Sequence, residues 1–239
     1  GTVPECSAIM KKLGDQMGEK RMNKVTAIIG AAAIAAGFVG CTPDKVIVTI
    51  PTSAVQKSQA GEVGYASAKI TYSVMDNDGK KHLAKCKEVA AKFVGEGGTV
   101  DLSGGLDPAD SNPAYLTATF TMPICTPQNK DKVKFVPPAV LWLENGALTF
   151  NACVKRLNEE LKKINDSIKA EYDGGETIFR LVGDSEKPIQ FGVFGTFLNK
   201  KPVVSVGVTV EKGKQYEVLY HRSADHIWHE IDPFVNIMK

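Results

Sequence analysis

The stretch from residue 176 to residue 221, ETIFRLVGDSEKPIQFGVFGTFLNKKPVVSVGVTVEKGKQYEVLYH, consists of strand-like runs and short turns. Its four runs are rich in β-branched and aromatic residues, and the segments GDSEK, NKK and EKGK separate them. This pattern predicts a four-stranded antiparallel meander or a small sandwich. Gly192 and Gly195 interrupt the second run, which indicates a bulge or a place of close packing.

The segment before these runs has the spacing of an amphipathic helix. Asn151 is a suitable N-cap, and Asp173-Gly174-Gly175 is a suitable end. Because the pattern is shorter than four heptads, we expect a long helix that packs on its own sheet rather than a coiled coil with a partner. Its apolar positions are Val154, Leu157, Leu161, Ile164, Ile168 and Tyr172.

Residues 41–145 alternate strand patterns with one helical pattern. Strands are predicted at 45–51, 68–75, 99–102 and 114–124, and a helix at 82–94. DNDG at 76–79 resembles the start of a calcium loop, but its twelfth position is Lys87, so a hairpin turn is predicted instead. The expected class is α+β: a β-rich N-terminal lobe with one helix over 41–145, then a C-terminal lobe over 146–239 made of the long helix and the meander.

A short basic start and an uncharged run precede these lobes. Met22-Asn23-Lys24 is followed by VTAIIGAAAIAAGFVG, sixteen residues from Val25 to Gly40. That length is short for a membrane span of about 20 residues and fits the apolar core of a secretory signal peptide. A buried core helix is the alternative, although the run has no amphipathic face. We therefore expect a signal peptide over 22–40.

The residues around Cys41 resemble the lipobox of bacterial lipoproteins. The match is Phe38-Val39-Gly40-Cys41, in which Phe38 stands where Leu is usual. The resemblance implies that the Cys41 thiol receives a diacylglycerol, that the preceding peptide bond is cut, and that the new N-terminus is acylated. Several acyl chains anchor a protein stably where one binds marginally. Thr42 after the cysteine implies delivery to the outer membrane by the enterobacterial sorting rule.

Residues 1–21 precede this leader and would place a signal peptide inside the chain. Gly18-Glu19 can be encoded by a ribosome-binding sequence shortly before the Met22 codon. We therefore expect residues 1–21 to be translated upstream sequence, with a genuine extension segment as the alternative.

Charge and cysteine usage narrow the functional classes. The whole chain has a net charge of +2, and residues 1–40 contain five of the 29 basic and three of the 27 acidic residues, which leaves a neutral body. A neutral body argues against nucleic acid as a partner. Cys86 and Cys125 are the natural disulfide pair in an oxidising periplasm, with two buried thiols as the alternative. Cys153 is expected to be a packed thiol rather than a nucleophile.

One segment, HRSADHIWHEID at 221–232, concentrates groups that bind metals. If it is helical, His226, His229 and Glu230 lie close enough for a zinc or copper site. If it is a strand, the two histidines point to opposite faces, and a surface segment anchored by Trp228 is expected. No catalytic motif is present, so we expect no enzyme and no cofactor.

The order of the C-terminal features resembles an uncharacterised family of enterobacterial and prophage-encoded lipoproteins. Shared features are a strand, the Asn-Lys-Lys turn, the Pro202 strand and the Glu-Lys-Gly-Lys turn, after a lipidated cysteine. The expected function is that of an outer-membrane lipoprotein, periplasmic or surface-facing, that acts as a binding or structural envelope protein, with an envelope protein as a candidate partner. The alternatives are a metal- or small-ligand-binding lipoprotein using 221–232, and an envelope enzyme with dispersed catalytic residues.

Overall fold

Strands account for about half of the protein. The computed structural model describes residues 40–41, 43–170, 176–220 and 234–238, all within the unit Val39–Lys239. The strands are β1 (Gly40–Cys41), β2 (Pro43–Pro51), β3 (Gly64–Val74), β4 (Thr99–Gly104), β5 (Ala114–Cys125), β6 (Ala139–Glu144), β7 (Ala147–Ala152), β8 (Lys169–Ala170), β9 (Glu176–Val182), β10 (Ile189–Leu198), β11 (Lys201–Val210), β12 (Gln215–Tyr220) and β13 (Phe234–Ile237). The helices are α1 (Thr52–Gln59), α2 (Asn77–Ala91) and α3 (Lys155–Lys162).

Nine of these strands form a closed barrel. Its order is β10-β12-β9-β2-β3-β5-β6-β7-β13, and β13 pairs back with β10 through Phe191 and Ile237. Within the ring β2 pairs with β9, and β5 with β6, in parallel; the other neighbours are antiparallel. β4 pairs with β5 and β11 pairs with β10 outside the ring, while β1 pairs in parallel with β8.

The core follows from alternation along the long central strands. In β3 every second residue is buried, and its register with β5 places Ile70 beside Ala118 on the buried face. Helices α2 and α3 cover this face, and Leu83 of α2 and Leu157 of α3 are among their buried residues. Apolar side chains of the two helices therefore form part of the core together with this face of the sheet.

The predicted α+β class with a long helix and a C-terminal meander is wrong. The four predicted C-terminal strands form, but their order is β11-β10-β12-β9 because β12 pairs with β9 and touches only the end of β10. β9 then continues in parallel onto β2, so strands from both halves of the chain share one sheet. The segment GDSEK does not make a tight hairpin between β9 and β10.

The predicted helix from Asn151 to Tyr172 is much shorter in the structure. Asn151 lies in β7 opposite Val140 of β6, because Asn145 and Gly146, both with positive φ, make a tight hairpin turn there. Helix α3 covers only Lys155–Lys162. Past its end, the Asn165 side chain accepts a 2.9 Å hydrogen bond from the backbone N–H of Ser167, a local turn that replaces further helix.

Two further local predictions are corrected in the N-terminal half. Asp76 does not begin a hairpin turn; its carboxylate accepts a 2.5 Å hydrogen bond from the backbone N–H of Gly79 and so caps α2. Residues 52–59 form α1, where no helix was predicted. Within the described ranges, no helix is long and apolar enough to cross a membrane.

Candidate binding surface

The β10–β11 hairpin is the most exposed apolar part of the described protein. The two strands pair over their whole length, from Ile189 opposite Val210 to Leu198 opposite Lys201. Asn199 and Lys200, both with positive φ, form the turn. The Asn199 side chain accepts a 2.9 Å hydrogen bond from the backbone N–H of Glu217, which fixes the turn against β12.

At Gly195 the side chains of β10 that are buried change from odd-numbered to even-numbered positions. Before it, Phe191 and Val193 are fully buried; after it, Thr196 is buried, so the alternation slips by one residue. Gly195 has a φ of +56°, a conformation that glycine adopts at little cost. Phe194 is exposed by the regular alternation before Gly195, and the slip exposes Phe197 as well.

A patch of four side chains follows from this geometry. We define the β10–β11 patch as Phe194, Phe197, Val204 and Met238, which are 38, 36, 90 and 44% exposed. A Cβ on Gly192 would lie 2.9 Å from the ring of Phe194, so the missing side chain leaves room for that ring on the sheet. The patch contains half of the eight large apolar side chains that are exposed in the described residues. Clustered exposed apolar residues mark interaction surfaces more often than scattered ones.

The connection into β10 is anchored by Asp184. Its carboxylate accepts hydrogen bonds from Thr52 and Ser53 at the start of α1, and its own N–H donates to the Thr52 hydroxyl at 3.2 Å. Desolvation raises the pKa of Asp184, but the hydrogen bonds from Ser53 and Thr52 together outweigh it, so the pKa lies below the ordinary value. The base of the hairpin is thereby held to α1.

A small apolar cavity of about 60 Å³ lies between the two helices α2 and α3 and the sheet. Its walls include Leu83 and Leu161 from the helices and Ala118 from β5. Lys169 and Ala170 of β8 also line it, and they are the residues with which Gly40 and Cys41 pair. An apolar cavity of this kind offers a water molecule no hydrogen-bond partners, so it is expected to be dry.

The predicted cysteine sites fall at separate places in the fold. Cys41 lies in β1, opposite Ala170 of β8. Cys86 on α2 and Cys125 at the end of β5 are both buried, and Cys153 is partly buried. Lipidation of Cys41 and a disulfide between Cys86 and Cys125 stay predictions.

The predicted metal segment lies outside the described residues. His226, His229 and Glu230 all belong to 221–233, so a metal site there stays a prediction. Among the residues that are described, no three His, Cys, Asp or Glu side chains cluster closely enough to hold a metal ion.

The chain matches no protein-family model, no curated protein sequence and no solved structure. Only its own residues therefore bear on its function.

Sequence reasoning anticipated part of the patch. The glycines at 192 and 195 predicted close packing or a bulge. Close packing occurs at Gly192, where the ring of Phe194 lies, but the register of β10 with β11 runs through Gly195 without a shift, so the two strands form no bulge there. Sequence reasoning missed that the buried face of β10 changes at Gly195 and exposes Phe197, because the apparent alternation of β10 assigns residues after 195 to the wrong face. The positive-φ preference of glycine within a strand was the available signal.

Proposed function

We propose that the protein is a lipid-anchored outer-membrane lipoprotein of the bacterial envelope that acts by binding another protein rather than by catalysis. The observation that carries the binding role is the β10–β11 patch, in which Phe194, Phe197 and Val204 of the hairpin and Met238 next to it are all exposed. Aromatic residues and methionine are enriched in the centres of protein interfaces. The patch is held on a paired hairpin rather than on a loop, which reduces the entropy lost on binding.

The anchor half of the proposal rests on the lipobox-like sequence that ends at Cys41. Cells expressing the chain are fed an alkyne-tagged fatty acid, and the purified protein is tested for the label. We expect label in the wild type and none in Cys41→Ser, with Cys153→Ser as the labelled control. Label that persists in Cys41→Ser would overturn the anchor.

The binding half is tested by photo-crosslinking in intact cells. A photoreactive phenylalanine analogue is placed at Phe194 or Phe197 and, as a matched control, at Tyr65, an exposed aromatic residue of β3 that is 52% exposed. We expect a discrete adduct from the patch positions that Tyr65 does not give. Equal adducts from all three positions, or none, would contradict a binding role for the patch.

A further inference from the structure

The outer edge of β11 is an open strand edge. Among the described strands β11 pairs with β10 alone, along Lys201–Val210. Its other side presents a row of backbone N–H and C=O groups to which a further strand can be added. Strand addition at such an edge is a common mode of recognition between proteins.

This edge lacks the features by which proteins usually protect a strand from pairing. Charged side chains along the strand are the commonest protection, and residues 203–210, VVSVGVTV, contain five valines and no charge. Only Pro202, at the start, lacks an N–H for a new ladder. The central residues Ser205, Gly207 and Thr209 are small and exposed, so a second backbone can approach closely.

Charged residues stand at the two ends of this uncharged run. Lys201 begins β11 and Glu211 directly follows it, and they lie five positions before and five positions after Val206. A two-fold axis normal to a sheet pairs identical antiparallel strands about one central residue. Centred on Val206, it places Lys201 opposite Glu211 of the second copy, and the symmetry repeats this pair at the other end.

We infer that β11 pairs antiparallel with β11 of a second copy of this chain, centred on Val206, and joins two barrels edge to edge. In this register Val204 faces Val208 of the second copy, and Ser205 faces Gly207. Centres at 204, 205, 207 or 208 bring no lysine opposite an acidic residue. Lys200 and Lys212 face each other one step beyond, in the turns, where Lys212 already forms an ion pair with Glu186.

The inferred dimer goes beyond the proposed function and does not depend on it. It uses the backbone edge of β11, shares only Val204 with the β10–β11 patch, and does not require a lipid on Cys41. Because a single short ladder is a small interface, we expect a reversible dimer with a Kd on the order of tens of micromolar. Failure of the labelling or crosslinking experiments above leaves this inference intact.

Charge reversal tests the register. Sedimentation velocity of the full chain in detergent is compared for the wild type, Lys201→Glu, Glu211→Lys and the double variant. Each single reversal creates two like-charge pairs and is expected to weaken the dimer roughly 10- to 100-fold, whereas the double variant restores it. Lys187→Glu, an exposed lysine in the β9–β10 connection, is the matched control and is expected to match the wild type.

Cysteine crosslinking provides a second readout that does not depend on charge. Val206 faces itself across the axis, so Val206→Cys is expected to give a covalent dimer on mild oxidation, beyond the wild-type background. Thr209→Cys is the control, because the two copies of residue 209 are about 20 Å apart in this register. The inference would be overturned by any of three results. These are a chain that stays monomeric up to about 500 μM, a dimer whose affinity is unchanged by both single reversals, and equal crosslinking at positions 206 and 209.

Discussion

The carboxylate of Asp184 binds the backbone N–H of Ser53, a residue that lies 131 positions earlier in the sequence. Its Oδ1 accepts a 2.8 Å hydrogen bond from the Ser53 N–H, and its Oδ2 accepts a 2.5 Å hydrogen bond from the Ser53 hydroxyl. The N-cap residue of α1 is Pro51, whose side chain makes no capping hydrogen bond. A carboxylate from the β9–β10 connection thus performs the capping that the local sequence does not supply.

Removing this carboxylate should destabilise the protein in a pH-dependent way. The folded pKa of Asp184 lies below its ordinary value of 3.8, so its stabilisation is present above that pH and is lost as the pH falls through the folded pKa. We expect Asp184→Ala to lower the free energy of unfolding by about 1 kcal/mol at pH 7, a Tm decrease of about 2–4 °C. Thermal scans at pH 7, 5 and 3 check this, with the exposed Asp131→Asn as control. A Tm difference of the same size at pH 7 and at pH 3 would contradict this role.

The buried cation Lys80 should stabilise the connection between β4 and β5. It is 4% exposed, and its Nζ donates hydrogen bonds of 2.6 Å to the carbonyl oxygens of both Asp110 and Asn112. Lys80→Met leaves these carbonyls without that donor and is expected to lower the free energy of unfolding, measured with denaturant, by about 2 kcal/mol. Because the two carbonyls lie in the β4–β5 connection, the substitution should also speed proteolysis between residues 105 and 113. Lys81→Met, which removes a surface pair with Asp78, should cost under about 0.5 kcal/mol; equal effects of the two would refute the assignment.

Because of the cavity beside α2 and α3, we expect enlargement of two alanines on one face of the sheet to change stability by different amounts. Ala118 lines the cavity, whereas Ala68 is buried on the same face, opposite Phe120, and does not line it. Ala118→Val has room for its methyl groups and should change stability by less than about 1 kcal/mol, whereas Ala68→Val should cost about 1–3 kcal/mol through overpacking. Leu83→Ala enlarges the cavity and is expected to cost about 3 kcal/mol. Urea unfolding measures all three, and a larger cost at 118 than at 68 would show that the cavity is not available space.

Val204 and Val208 provide a matched pair within β11. Val204 is 90% exposed and Val208 is 5% exposed. Replacing either with threonine keeps the shape and adds a hydroxyl, so Val204→Thr should stay within about 0.5 kcal/mol of the wild type. Val208→Thr buries that hydroxyl and should cost about 1–3 kcal/mol. In the crosslinking assay, Val204→Thr should still reduce adduct formation from Phe197, which a purely structural residue would not do.

The strands β2–β5 and β9–β12 were predictable because their signals are local. Alternation along β3 and β5, and the turn formers between β9, β10, β11 and β12, require only neighbouring residues. The parallel pairing of β2 with β9 joins Val48 to Phe179, and no pattern within either strand indicates such a distant partner. The helix was predicted too long for a local reason. Leu157 and Leu161 have true helical spacing, but the Asn145-Gly146 turn ahead of them places Asn151 in β7, and the turn at Asn165 follows the helix. For the β10–β11 patch, the sequence indicated only that Gly192 and Gly195 make the second strand irregular or closely packed.

The pairing of β1 with β8 limits how far a lipid anchor would let the body move. Cys41 lies opposite Ala170, and Pro43 already begins β2, so residue 42 alone separates the two strands. The proposed cleavage before Cys41 would remove Gly40 and its pairing with Lys169, so acyl chains on Cys41 would join the bilayer to the fold through the Cys41–Ala170 pairing and residue 42. With the proposed lipid on Cys41, the barrel would be held at the membrane surface, and a binding partner would have to reach it there.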